Sequence, residues 1–211
     1  PLFLSKMDRL AKETSTVLIT GIPTYDPTTS SYYNSALSLG EITGQYNKTK
    51  LVPFGEYVPL EPLLRGLIRF FDLPMSNFSP GKKDQDPLVA HGHKIASAIC
   101  YEVVYPDLVA KNSIGASIIL TMSNDSWFGN SLALPQHLQM AQMRAIELSK
   151  PILRATNNGL TAIIDHKGRI THRLDPFTST ELSGIIQPMT GQTPFSKFGS
   201  MPCIAFCLIV V

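Results

Sequence analysis

A lone cysteine closes the apolar run Ile95-Ala96-Ser97-Ala98-Ile99, and Tyr101 and the carboxylate of Glu102 follow it directly. A rigid strand fixes a sulfur in space, and the turn after it exposes the next backbone N–H, so Cys100 has the setting of a nucleophile beside an oxyanion donor. Free cysteine is also among the most buried residue types and can simply pack. Reactivity needs a neighbour that favours the thiolate. A second stretch, Tyr46-Asn47-Lys48-Thr49-Lys50-Leu51-Val52-Pro53-Phe54-Gly55-Glu56-Tyr57-Val58-Pro59, offers one. Its prolines bracket a non-helical segment. Lys48 held near a thiol stabilises the thiolate and can donate to an oxyanion. On its own, the segment reads rather as a surface lysine in a loop with a solvated glutamate, Glu56. A third stretch, Ser123-Asn124-Asp125-Ser126-Trp127-Phe128-Gly129, again follows an apolar strand. Asn124 and Asp125 supply turn geometry, and Trp127 and Phe128 at the loop tip either cap the core or line an apolar pocket.

Other candidates carry less. His137, after Pro135-Gln136 at a helix start, is either the partner of a Cys–His enzyme or, as expected here, a helix-face residue. His91 and His93 flank Gly92 in what reads as a hairpin turn, and two ligands do not make a zinc site. Three cysteines, at 100, 203 and 207, with no CxxC spacing exclude a disulfide framework and a zinc ribbon. Cys203 and Cys207, four apart in an apolar tail, read as packing residues.

The elements that must position these groups alternate. Helical periodicity covers 2–13, 61–71 and 134–149, and strand-like runs cover 16–21, 35–39, 94–100, 117–122, 152–155, 161–165, 170–174 and 182–186. Turn residues mark 25–31 as a loop, and 73–87 reads as a long loop. This order predicts one α/β layered domain, a sandwich rather than a bundle. In 61–71, Leu63, Leu64, Leu67, Ile68, Phe70 and Phe71 surround only Arg65 and Arg69, which suits a bilayer interface or packing on a sheet. The last eleven residues carry no charge. A bilayer span needs about 20 apolar residues, so this tail is either a final core strand or the first half of a transmembrane helix. Both ends read as cut, with no initiator Met and no signal-peptide pattern. At 211 residues, 16% charged and 44% hydrophobic, the chain is not a disordered one, and a net charge of +2 gives no footprint for nucleic acid.

Taken together, the three stretches and Arg-Ala-Thr-Asn-Asn-Gly at 154–159 resemble the nitrilase (carbon–nitrogen hydrolase) superfamily, and within it the bacterial apolipoprotein N-acyltransferases. Phe54-Gly55-Glu56 and a Cys with a Glu two residues on are seen across nitrilases. Ser-Asn-Asp-x-Trp-Phe-Gly and the trailing apolar segment point to the acyltransferase branch. The resemblance implies a nitrilase-like four-layer α-β-β-α sandwich over 1–199, truncated at its N-terminus, with the start of a transmembrane helix at 200–211.

It also implies a Glu-Lys-Cys triad. Cys100 matches the nucleophile, Lys48 the lysine that stabilises the oxyanion, and the Tyr101 N–H the second donor. Glu56 matches a further glutamate that orients Lys48 or assists proton transfer; Tyr101 and Glu102 match residues flanking the nucleophile. Asn34, Asn124, Trp127 and Phe128 match positions that shape the site or its acyl pocket. The family's general base stands in a Pro-Glu segment just before a helix like 2–13, so it is expected upstream of Pro1. Glu13, at the helix's far end, is a poor substitute, and the fragment alone is expected to be inactive.

The implied reaction moves an acyl chain from a phospholipid, through a Cys thioester, to the diacylglyceryl-modified N-terminal cysteine of an apolipoprotein. No metal or organic cofactor is implied. The partners are the phospholipid donor, the apolipoprotein acceptor and the bilayer; the place is the bacterial inner membrane, in a multi-pass parent whose catalytic domain faces the periplasm. Two rivals remain: a soluble nitrilase-type amidase using the same Cys and Lys, and a non-catalytic lipid- or lipoprotein-binding remnant.

Overall fold

The computed structural model describes residues 2–59 and 77–210. The amphipathic start folds as α1 (Leu2–Glu13), with Ala11 buried and Asp8 Oδ1 accepting from the Gly40 N–H at 3.0 Å. Next comes an antiparallel meander of β1 (Leu18–Asp26), β2 (Ser31–Leu39) and β3 (Gly44–Asn47), with Leu18 opposite Leu39 and Ala36 opposite Tyr46. The expected loop at 25–31 shrinks to a hairpin turn, and both strands run further than their apolar runs predicted. Asp26 accepts from the Thr28 N–H at 2.9 Å and from the Thr28 and Thr29 hydroxyls, which makes an Asx turn. Across it the rings of Tyr25 and Tyr32 lie 4.8 Å apart.

The second sheet keeps chain order: β4 (Leu88–Ala90), β5 (His93–Ile99), β6 (Ile118–Asn124), β7 (Ile152–Asn157), β8 (Ala162–Ile164) and β9 (Ile170–Arg173). Strands β5, β6 and β7 are parallel, and the outer pairs are antiparallel. Parallel neighbours need crossovers, supplied by α2 (Pro106–Asn112) and α3 (Ala133–Leu148). His91 and Gly92 form the expected hairpin turn, both at positive φ.

Burial on both faces explains why the central strands read as unbroken apolar runs. Ile95, Ile99, Ile118 and Leu120 pack toward Ala36, Tyr46 and Leu88. Ala96, Ala98 and Ile119 pack toward Val109, Leu138, Ala141 and Ala145 of the helices. With α1 against the first sheet, the layers run helix, sheet, sheet, helices.

The chain ends with α4 (Pro194–Phe198), packed on α2 and α3, and α5 (Met201–Val210). Residues 182–186, expected as a strand, form none, and Ile185 stands exposed. Their propensity finds no pairing partner, because Gly184 lies against the Ile163 and His172 side chains instead. The apolar tail is a helix and not a core strand, and Met201, Ile204, Phe206, Leu208 and Ile209 are exposed. At ten residues it falls short of a bilayer span, and no described helix is long and apolar enough to cross a membrane. The expected helix at 61–71 lies outside the described residues.

Candidate active site

Three parallel strands deliver the chemistry at their C-terminal ends, where open α/β sheets gather their reactive groups. Cys100 follows β5, Asp125 follows β6, and Asn157 ends β7 opposite Asn124. Cys100 opens a 3-10 turn (Cys100–Val104) with φ +54°, half-buried against the core between the sheets. The left-handed conformation costs a non-glycine residue roughly 1–2 kcal/mol, so the surroundings must hold it.

Glu102 is one of the groups that do. Fully buried, its carboxylate accepts from the Ile99 N–H at 2.8 Å, the Thr49 N–H at 2.7 Å, the Thr49 hydroxyl at 2.9 Å, the Lys50 N–H at 3.1 Å and the Tyr46 hydroxyl at 3.0 Å. Burial, and then the charge of Glu102, push the Tyr46 phenol well above its ordinary pKa and keep it a donor. Glu102 thus fastens the chain just after Lys48, from the first sheet, to the Cys100 turn of the second.

Lys48 is 1% exposed and its ammonium lies 2.7 and 2.9 Å from the two oxygens of Glu56. Glu56 also accepts from Asn34 Nδ2 and from the Val52 N–H, each at 2.8 Å. The Lys48 backbone is held at both ends, its N–H on the Asn34 carbonyl and its carbonyl under the Gly81 N–H. Gly81 is a necessity of this approach, because a Cβ there would strike the Asn47 backbone.

On the other side of Cys100 stands a network the sequence reading did not find. Asp125, 1% exposed, accepts from the Ser123 hydroxyl and from Arg154 Nη2 at 2.8 Å, and lies 3.1 Å from His137 Nδ1. Burial alone would raise its pKa; the bonds from His137 and Ser123 and the Arg154 charge outweigh that and hold it below the usual carboxylate range. His137 is a buried bridge and not an ordinary helix-face residue: its Nε2 lies 3.2 Å from the Cys100 carbonyl oxygen. A carbonyl only accepts, so Nε2 carries the hydrogen. That hydrogen is directed to the backbone and not to the sulfur, so His137 does not sit as the base of a Cys–His pair. Arg154, alone in an apolar strand, was the legible signal of this network. Gly159 completes it, since a Cβ there would overlap the Asp125 carboxylate.

The remaining predicted residues form the rim. Asn124 caps the turn Asp125–Phe128, its side-chain oxygen accepting from the Ser126 N–H. Phe128 packs edge-on against His137 with ring centres 6.1 Å apart, and Trp127 is 71% exposed. Tyr101 meets Tyr105 edge-on at 5.5 Å, beneath Lys50 Nζ. Glu13 is out on the surface with Arg9. Among the described residues no group of three His, Cys, Asp or Glu is placed to hold a metal.

The carbon–nitrogen hydrolase family profile matches residues 2–195. Among curated proteins, the chain is 51% identical to an apolipoprotein N-acyltransferase of Pseudomonas syringae pv. tomato over 99% of its own length, and 42% identical to one of Vibrio vulnificus over 96%. It spans 42% of each of those relatives. Among solved structures, it resembles Saccharomyces cerevisiae Nit3, of the nitrilase superfamily, with a TM-score of 0.63 at 20% identity over 82% of this chain and 60% of that one. A carbon–nitrogen hydrolase from Helicobacter pylori gives a TM-score of 0.60 at 17% identity, over 82% and 62%.

Proposed function

Because the chain belongs to the carbon–nitrogen hydrolase family, we propose that it carries the acyl-transfer site of an apolipoprotein N-acyltransferase, with Cys100 as nucleophile. The carrying observation is the Glu102 clasp, which brings the Lys48 segment of one sheet to the Cys100 turn of the other. In this reading the Cys100 thiolate attacks the sn-1 ester of a phospholipid. Lys48 and the Tyr101 N–H stabilise the oxyanion, and lysophospholipid leaves. The amine of a diacylglyceryl-modified N-terminal cysteine then takes the acyl chain from the thioester. No metal or organic cofactor enters.

Asn34 and Glu56 act through Lys48, by fixing where its ammonium points. Three described acids are already committed: Glu102 to its five donor groups, Glu56 to Lys48, Asn34 and Val52, Asp125 to Ser123, His137 and Arg154. In this reading the thiol proton goes to a further glutamate, the general base that the family resemblance implies. Substrate class follows from the surface as well as from the relatives' name. Trp127, Phe128 and Leu132 beside the turn, and the apolar α5, expose greasy surface that suits a lipid donor at a bacterial inner membrane, facing the periplasm. Water exclusion there protects the thioester from hydrolysis.

The test is intact-mass detection of an acyl adduct on the full-length protein mixed with phospholipid vesicles. The adduct is expected in the wild type and absent in Cys100→Ala. An adduct that persists in that variant would overturn the assignment.

A further inference from the structure

The turn bearing Cys100 is held from two sides, and Lys48 and Glu56 account for neither. From one side Glu102 grips the Ile99 N–H; from the other His137 reaches the carbonyl of Cys100 itself. The His137 ring is fixed in turn. Its Nδ1 faces Asp125 Oδ1 and Arg154 Nη2, each at 3.1 Å. Unprotonated, Nδ1 accepts from Arg154; protonated, it donates to Asp125. In both states Nε2 keeps its hydrogen on the Cys100 carbonyl. Arg154 is itself anchored through Nε to the Leu160 carbonyl at 3.2 Å, and Phe128 closes against the ring.

We propose that His137, locked by Asp125 and Arg154, is a positioning residue for the nucleophile: by fixing the carbonyl of the left-handed Cys100 it sets the direction of both the sulfur and the Tyr101 N–H. The assignment rests on Cys100 being the nucleophile of acyl transfer. The same network ties the loop that carries Trp127 and Phe128 to that turn, because Asp125 begins the loop and Phe128 rests on His137. The nucleophile and the aromatic rim are thereby held in one register. A displacement of about 1 Å at a reacting centre can cost about a hundredfold in rate, so a bond to the backbone of the nucleophile is enough to matter.

The experiment uses the full-length protein with Cys203→Ser and Cys207→Ser, so that Cys100 is the single cysteine among residues 1–211. Position 137 is His, Gln or Leu, and vesicles of phosphatidylethanolamine and phosphatidylglycerol are the acyl donor. Gln carries an amide N–H that reaches where Nε2 stood; Leu does not. His137→Leu is expected to slow acyl-adduct formation about tenfold to a hundredfold, with half-saturation in phospholipid unchanged, and His137→Gln to recover most of the rate. In parallel, cysteine labelled with carbon-13 at its carbonyl reports the hydrogen bond without substrate. Its resonance should shift in His137→Leu and stay near the wild-type position in His137→Gln. Wild-type acylation rates in His137→Leu, or a His137→Gln variant as slow as His137→Leu, would overturn the proposal. If His137→Leu does not fold, His137→Asn replaces it, since its shorter amide reaches Asp125 but not the carbonyl; it should be as slow as predicted for Leu, and a wild-type rate there overturns the proposal too. If the wild type never acquires an acyl chain, acyl transfer fails as the function, and the carbonyl resonance alone decides whether His137 holds the turn.

Discussion

Two buried ion-pair clusters connect to the Cys100 turn by different routes. Lys48 and Glu56 lie at the end of the first sheet, with the Glu56 side chain still 14% exposed. Asp125 and Arg154 lie between the second sheet and α3, with no side-chain exposure at all. The first cluster connects to the Cys100 turn through the backbone of Thr49 and Lys50, which Glu102 holds, and it opens slightly to solvent at Glu56. The second is sealed and reaches Cys100 through His137 and a backbone carbonyl. The two cations are equally buried, so the clusters differ in the opening at Glu56 and in the route by which each reaches the turn.

Five variants and one acid titration sharpen or break that contrast. The sealed pair should be worth the most to the fold: Arg154→Met leaves Asp125 charged and buried, and should destabilise by about 3–5 kcal/mol in urea unfolding. A loss under 1 kcal/mol would mean the pair is not sealed. Lys48→Met should reverse the balance, slowing acyl-adduct formation about 10²–10³-fold, the usual cost of one oxyanion donor, with a smaller effect on stability. Gly159→Ala should cost about 1–3 kcal/mol by pressing a methyl group into the Asp125 carboxylate, whereas Gly92→Ala, with open space around it, should cost little beyond its positive φ.

Acid gives a smaller and more selective probe. The folded pKa of Asp125 is depressed below 3.8, so its stabilisation is complete above that pH and is lost as pH falls through the lowered value. Melting temperature should therefore drop less steeply below pH 3.8 in Asp125→Asn than in the wild type, and equal slopes would refute the depressed carboxylate. Trp127→Ala should change stability by no more than about 0.5 kcal/mol, since the ring is largely exposed, while slowing acylation if the rim contacts lipid.

The sequence announced the two clusters unequally, for a physical reason. Lys48 and Glu56 are eight residues apart in one motif, and Cys100 with Glu102 marks a strand end, so a family resemblance carried by short motifs singles them out where the residues alone read as a surface pair. Asp125, His137 and Arg154 come from a turn, a helix and a strand, and only the parallel register of β6 and β7 with the crossover α3 brings them together. Charge in an apolar strand was their trace: an arginine flanked by Leu153 and Ala155 needs a buried partner. The apolar runs located β5, β6 and β7 because burial on both faces leaves no ambiguity of period. The same criterion misjudged 182–186, where propensity is present and a neighbouring strand is missing, and undershot β1 and β2, whose outer halves alternate too weakly to read. It also passed over β3, which is short and polar, and β4, which is three residues long and follows Pro87.

The enclosure of Lys48 has a use at the bench. Amine-modifying reagents that decorate the open lysines of this surface should pass over an ammonium that is 1% exposed and clasped by two carboxylate oxygens. Lysine footprinting by mass spectrometry would then read the integrity of this enclosure directly: label arriving at position 48 marks the moment the first sheet lets go.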